Sequence, residues 1–243
     1  MMNPQIRAAG PSAIKVLTSH SSFSVLDALA PEFERAAGQE VAIEADSAKT
    51  MLARIKGGET GDVLVIGKSG ADELAQLGII VPGSSRPFAR ARVGVAVRAG
   101  APRPDISSVE AFKRSMLSAK SIAHTVNGAS GMYVPVLMER LGIADKMKPK
   151  TVTRPGGYIA RVVAAGEAEI AIQQIVELLA VPGVDLVGPL PDEIQKVFET
   201  TAAIFTSSNR PAAAEALLRF LLAPGAAGVF GDKGLELVVA GNA

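Results

Sequence analysis

Residues 14–66 read IKVLTSHSSFSVLDALAPEFERAAGQEVAIEADSAKTMLARIKGGETGDVLVI. Three short apolar runs, 14–17, 41–44 and 62–66, alternate with two amphipathic segments. Val25, Leu26, Leu29 and Phe33 recur at helical spacing in the first segment. Met51, Leu52 and Ile55 do so in the second, which stops at Gly57-Gly58. The runs are rich in Val and Ile, as befits strands buried on both faces. Strand, helix and strand in this order predict a parallel sheet with crossover helices. In such sheets ligands sit beyond the carboxyl ends of the strands, where loops lead into helix starts.

The same alternation continues downstream. Further strands are expected at 92–97, 121–124, 151–153, 169–172, 186–187 and 202–206. Tyr133, Leu137 and Leu141 mark a third helix ended by Gly142, and Ile159, Val162 and Val163 mark a fourth ended by Gly166. Residues 213–222 read as a helix stopped by Pro224, and residues 1–12 as a loose tail. The runs 92–97 and 202–206 are long and each lies between blocks of alternating elements, so they are expected to cross between two lobes. The expected division is 13–88 plus 207–243 for one lobe and 98–198 for the other, with hinge strands at about 89–97 and 199–206.

Four turns stand at the expected carboxyl ends: Ser19-His20-Ser21-Ser22, Ser47-Ala48-Lys49-Thr50, Asn127-Gly128-Ala129-Ser130-Gly131 and Arg154-Pro155-Gly156-Gly157. Each is read as opening a helix, where free backbone N–H groups and the positive end of the dipole favour an anion. One serine or glycine before a helix is ordinarily a cap. Four at one end of parallel strands point to a cleft for a small anion. Lys49 adds charge to that site or faces solvent. His20 is a loop donor or a base, and His124 is packed in its strand or touches the ligand. Tyr133 is expected in the core, and Tyr158 beside Gly156-Gly157 in the core or at the ligand.

Composition removes several classes. Of 243 residues 48% are hydrophobic, enough for a substantial core, and only 4% are aromatic, with no Trp, which disfavours stacking on single-stranded nucleic acid. The net charge of +1 supplies no field for DNA or a membrane surface. Arg86, Arg90, Arg92, Arg98 and Arg103 form a local basic stretch, either a solvated strand and its flanks or part of the anion field. Without cysteine there is no disulfide, thiolate site or cysteine nucleophile. Two histidines leave no metal cluster, so no metal or cofactor is expected. No apolar run is long enough to span a membrane. In Gly61…Gly67-Lys68-Ser69 a strand lies between the glycines rather than before them, against a phosphate loop. No G-x-S-x-G elbow accompanies Ser19, His20 and Ser21.

With these residues in place, the chain resembles a family. LAPEFERAAG, LARIKGGETGDVLVIGKSGADELAQLGII, SGMYVPVLMERLGI, VVAAGEAEIAIQQ and PAAAEALLRFLLAPGAAGVFGDKGLE, in this order, are similar to bacterial molybdate-binding proteins of the type II periplasmic binding protein superfamily. The likeness spans about residues 14 to 238. It implies an α/β fold of two lobes, each a mostly parallel sheet flanked by helices, that close by a hinge on a dehydrated oxyanion. By position it implies ligand contacts at Ser21, Ser130 and the backbone of Gly156. A second family serine falls on Lys49, with Ser47 and Thr50 as polar neighbours, and the tyrosine typical of molybdate binders is Gln174 here. The stretch GEAEIAIQQIVELLAVPGVDLVGPLP resembles a subgroup that includes aconitate isomerases.

The expected function is capture of a small oxyanion or carboxylate between the lobes by helix starts and hydroxyls: His20, Ser21, Ser22, Ser47, Lys49, Thr50, Ser130, Gly156, Tyr158 and Gln174. The alternative is an isomerase of a small unsaturated carboxylate, with His20, His124 or Lys49 as base. The expected partner is a small anion and, for a receptor, the membrane subunit of an ABC importer, without nucleic acid or direct membrane insertion. The place is cytoplasmic if residue 1 is the native start, and periplasmic if a signal peptide was removed.

Overall fold

The computed structural model describes residues 5–238. The chain forms two units: one runs to Arg90 and resumes at Phe198, the other comprises Ala91–Val197. In chain order the first unit opens with β1 (Gln5–Arg7), β2 (Ile14–Ser19), α1 (His20–Ala37), β3 (Val41–Asp46), α2 (Ala48–Lys56), β4 (Val63–Gly67) and α3 (Lys68–Gln76). The chain leaves it along β5 (Arg86–Arg98). The second unit then holds α4 (Val109–Ser118), β6 (Ile122–Thr125), α5 (Ala129–Arg140), α6 (Ala144–Met147), β7 (Thr151–Arg154), α7 (Ala160–Ala164), β8 (Ile170–Gln174), α8 (Ile175–Leu179) and β9 (Val184–Pro189). It returns along β10 (Val197–Ile204) and ends with α9 (Pro211–Leu221), α10 (Ala227–Asp232) and β11 (Leu235–Leu237).

In the first unit β3, β2 and β4 are parallel neighbours, with β1 antiparallel on β3 and β10 antiparallel on β4. The apolar runs that suggested buried strands are buried: Ile14, Val16, Leu17, Ile43, Val63, Leu64 and Val65 have no accessible surface. Val25, Leu26, Leu29 and Phe33 are the buried face of α1, as their spacing predicts. The register pairs Ser19 with Asp46, so β2 and β3 end level and deliver the starts of α1 and α2 side by side. The expected loose tail is corrected by β1, whose lone apolar side chain, Ile6, gives no pattern to read. Pairing to β3 and the Arg7 bonds to Asp27 and Glu34 hold it.

In the second unit β8, β6 and β7 are parallel neighbours, with β5 antiparallel on β8 and β9 antiparallel on β5. Pairing continues past the strand ends: Val126 N–H donates to Arg154 O at 2.8 Å and Asn127 N–H to Pro155 O at 2.9 Å. This draws the turns after β6 and β7 together. One expected helix start is corrected. Residues 155–158 are a loop, and α7 begins only at Ala160 and has five residues, because Pro155, Gly156 and Gly157 are poor helix formers. Gly156 and Tyr158 therefore precede the helix rather than open it.

Candidate functional site

Each unit presents small polar groups at the carboxyl ends of its parallel strands. In the first unit Ser19 precedes α1 with extended backbone but makes no side-chain cap bond. Its hydroxyl instead pairs with Ser21 Oγ at 3.0 Å. His20, Ser21 and Ser22 are all buried in the first turn. Ser22 Oγ is buried and has no hydrogen-bond partner among the described residues. Ser47 precedes α2 in the same uncapped way, and its hydroxyl pairs with Thr50 Oγ1 at 2.7 Å. The Ser47 N–H donates to Asp46 Oδ1 at 2.6 Å. Arg54 NH1 lies 3.6 Å from the other Asp46 oxygen, and its guanidinium also bonds Glu44 and Glu59. Lys49 is exposed, so of its two expected placements the structure shows the solvent one.

A conventional cap elsewhere sharpens the contrast. Before α4, the Ser108 hydroxyl accepts the Ala111 N–H at 3.2 Å. A serine ahead of a helix in this chain thus caps where capping is its role. The serines ahead of α1 and α2 leave the first-turn N–H groups to another acceptor.

In the second unit α5 starts almost on top of β6. A Cβ on Gly131 would lie 2.0 Å from Thr125 O, and one on Gly128 would lie 2.5 Å from Thr125 Oγ1, so only glycine permits this approach. Ser130, between them, has no accessible surface, and its hydroxyl has no partner among the described residues. The same holds for Thr125 Oγ1 and Gln174 Oε1, both buried. His124 Nδ1 is 2.9 Å from Thr125 O. Burial holds this imidazole below the usual histidine range, opposed by the carbonyls of Thr125 and Gly131. The ring is therefore neutral at pH 7 and anchored to backbone.

Gln173 holds the loop ahead of α7. Its Oε1 accepts the Ile159 N–H at 2.9 Å and its Nε2 donates to Gly157 O at 2.8 Å. Gln174 follows it and precedes α8, and Glu177 accepts the Gln174 N–H. Burial pushes the Glu177 carboxyl up to about 8, so it keeps its proton at neutral pH. Tyr158 is buried, with the Arg161 guanidinium 5.7 Å from its ring centre. Tyr133 is a core residue that donates to Ile194 O at 2.8 Å.

The expected ligand residues thus gather at one strand end in each unit: His20, Ser21, Ser22, Ser47 and Thr50 in the first, Ser130, Gly156, Tyr158 and Gln174 in the second. Thr125, Gln173 and Glu177 escaped the sequence reading. Three arginines of the basic stretch are paired: Arg90 bonds Glu199, Arg92 bonds Asp192, and Arg103 lies 3.9 Å from Asp185. Among the described residues no group of three or more His, Asp or Glu side chains is placed to hold a metal, and no single helix is long and apolar enough to cross a membrane.

Parallel α/β units of this topology make up the fold of the type II periplasmic binding proteins. The periplasmic molybdate-binding protein of Azotobacter vinelandii matches with a TM-score of 0.79 at 20% identity, over 93% of this chain and 99% of that one. A sulfate-binding protein of Mycobacterium tuberculosis H37Rv matches with a TM-score of 0.77 at 16% identity, over 93% of this chain and 87% of that one. The model of the bacterial extracellular solute-binding protein family matches residues 14–236, and the chain belongs to that family. An aconitate isomerase of a Pseudomonas species is 34% identical over 243 residues, 98% of this chain and 92% of its own.

Proposed function

We propose that this solute-binding protein captures a small, multiply charged anion, a short polycarboxylate, through the hydroxyls and backbone N–H groups at its strand ends. One observation carries the reading. Ser22 and Ser130, in the first turns of the two longest helices, α1 and α5, hold buried hydroxyls without a partner among the described residues. A buried unsatisfied hydroxyl costs about 1–3 kcal/mol, and a ligand oxyanion would satisfy it. Neutral donors at helix starts suit a dianion or trianion without a fixed counter-cation. Arg54 cannot play that part, since it is engaged by three carboxylates. The proposed contacts are His20, Ser21, Ser22, Ser47, Thr50, Thr125, Ser130, Gly156, Tyr158 and Gln174. For such a receptor the proposed partner is the membrane subunit of an importer and the proposed place the periplasm, in keeping with the extracellular family.

A second reading is favoured by the aconitate isomerase relative, which matches over 98% of this chain and 92% of its own. An isomerase of this kind removes a proton beside a carboxylate and returns it at another carbon, with hydroxyls and helix starts stabilising the enolate-like intermediate. His124 is the proposed base. With Nδ1 held on Thr125 O, Nε2 is the ring atom proposed to take the proton.

A thermal-shift panel of cis-aconitate, trans-aconitate, citrate, molybdate, sulfate and phosphate tests both readings. An anion at 100 times its Kd stabilises by about 2.7 kcal/mol. Stabilisation by a tricarboxylate supports polycarboxylate capture, and exchange of substrate hydrogen for solvent deuterium, followed by NMR, supports turnover. A shift with molybdate or sulfate alone contradicts the polycarboxylate assignment.

A further inference from the structure

The two glutamines that end β8 differ in their partners. Gln174 carries a buried oxygen with no partner among the described residues. Gln173, 1% exposed, uses both ends of its amide on one short loop. That loop, residues 155–158, contains Gly156 and Gly157, and Gly157 has φ +77°, a conformation that favours glycine. Among the described residues neither the Gly156 nor the Gly157 N–H has a backbone acceptor. A loop of this kind has no helical ladder to set its peptide planes.

We infer that Gln173 is a positioning residue for anion binding: by accepting from Ile159 N–H and donating to Gly157 O it sets the 155–158 loop so that the Gly156 and Gly157 N–H groups are available to the ligand. The inference rests on the anion-binding reading above. The requirement is for one acceptor and one donor in a fixed plane, which an amide supplies and an ionised carboxylate does not. A glutamate here could accept from Ile159 but would face the Gly157 carbonyl with a lone pair. Protonation would restore the donor.

The test measures the Kd of trans-aconitate by calorimetry for the wild-type protein, Q173L and Q173E between pH 5.5 and 8. Reporting each variant as a ratio to wild type at the same pH removes the ligand's own titration. Q173L is expected to bind roughly tenfold to a hundredfold more weakly, the worth of one charge-assisted hydrogen bond, with a ratio that does not depend on pH. Q173E is the variant that matters if Q173L does not fold. It is expected to bind weakly at pH 8 and to approach wild type towards pH 5.5. A loss confined to folding stability would leave the Kd ratio of the folded protein near one. A ratio near one for either variant at pH 8, or a Q173E deficit that does not shrink as pH falls, would overturn the inference while leaving wild-type binding intact. Failure of the wild-type protein itself to bind any anion of the panel would instead remove the reading on which it stands.

Discussion

Replacing Ser130 by alanine should move stability and affinity in opposite directions. The Ser130 hydroxyl is fully buried and has no partner among the described residues. Removing an orphaned buried hydroxyl relieves a desolvation cost of about 1–3 kcal/mol, partly offset by the small space left behind. A net gain of about 1 kcal/mol raises Tm by roughly 2–4 °C for a chain of this size. The same hydroxyl, if it donates to a bound anion, contributes about 1.5–3 kcal/mol to binding, so Ser130→Ala weakens Kd by roughly 10- to 150-fold. Ser108 is the internal control. Its hydroxyl caps α4 through the Ala111 N–H, so Ser108→Ala costs about 1 kcal/mol of stability and leaves Kd unchanged. Calorimetric titration with trans-aconitate and differential scanning of the free proteins measure both quantities. If Ser130→Ala lowers the Tm of the free protein as Ser108→Ala does, and leaves Kd alone, Ser130 is a structural residue and the reasoning is wrong.

Gly131→Ala would drive a methyl to 2.0 Å from Thr125 O, so a loss of about 3 kcal/mol or more is expected; Gly225→Ala, which meets nothing within 4 Å, should be near neutral in the same melts. Glu177 titrates near 8 when folded against about 4.3 when unfolded, so between these values the folded state holds the extra proton. Stability therefore falls as pH rises through that window, by about 1.4 kcal/mol per unit from this group. Glu177→Gln, which keeps the acceptor for the Gln174 N–H, should melt above wild type at pH 8, with the gap closing towards pH 5. Lys150 Nζ donates to Met116 O, Leu117 O and Ala119 O at 3.0, 2.6 and 2.7 Å, closing the carboxyl end of α4. Lys150→Met should cost about 2 kcal/mol, roughly 4–8 °C in Tm, without changing Kd.

The topology was legible because it rests on local pattern. Val and Ile runs ending in small polar residues, each followed by a 3.6-period stripe, place β2, β3, β4, β6 and β8 within a few residues of where they lie. Pattern failed where tertiary pairing decides. Gln5-Ile6-Arg7 has one apolar residue and becomes a strand because the β3 edge is beside it. The strand expected at 202–206 starts at Val197, because the threonine-rich stretch before Ala202 pairs with β4 through Thr200 and Thr201. At the site, hydroxyls ahead of helices were visible, but a cap and an uncommitted donor look alike in sequence. The Ala111 N–H on Ser108, and the lack of a partner for the Ser130 hydroxyl among the described residues, tell them apart. Adjacent glutamines are likewise indistinguishable until the loop that Gln173 holds is folded against it. Lys49, aligned with a family serine, is exposed because position 49 lies on the solvent side of the first turn of α2.

The most direct test of anion capture by these helix starts is calorimetric titration of trans-aconitate into wild type, Ser22→Ala and Ser130→Ala. The expected result is one molecule bound per chain by wild type, with affinity reduced at least tenfold by each substitution. Unchanged affinity in both variants, with the wild type binding tightly, would contradict it.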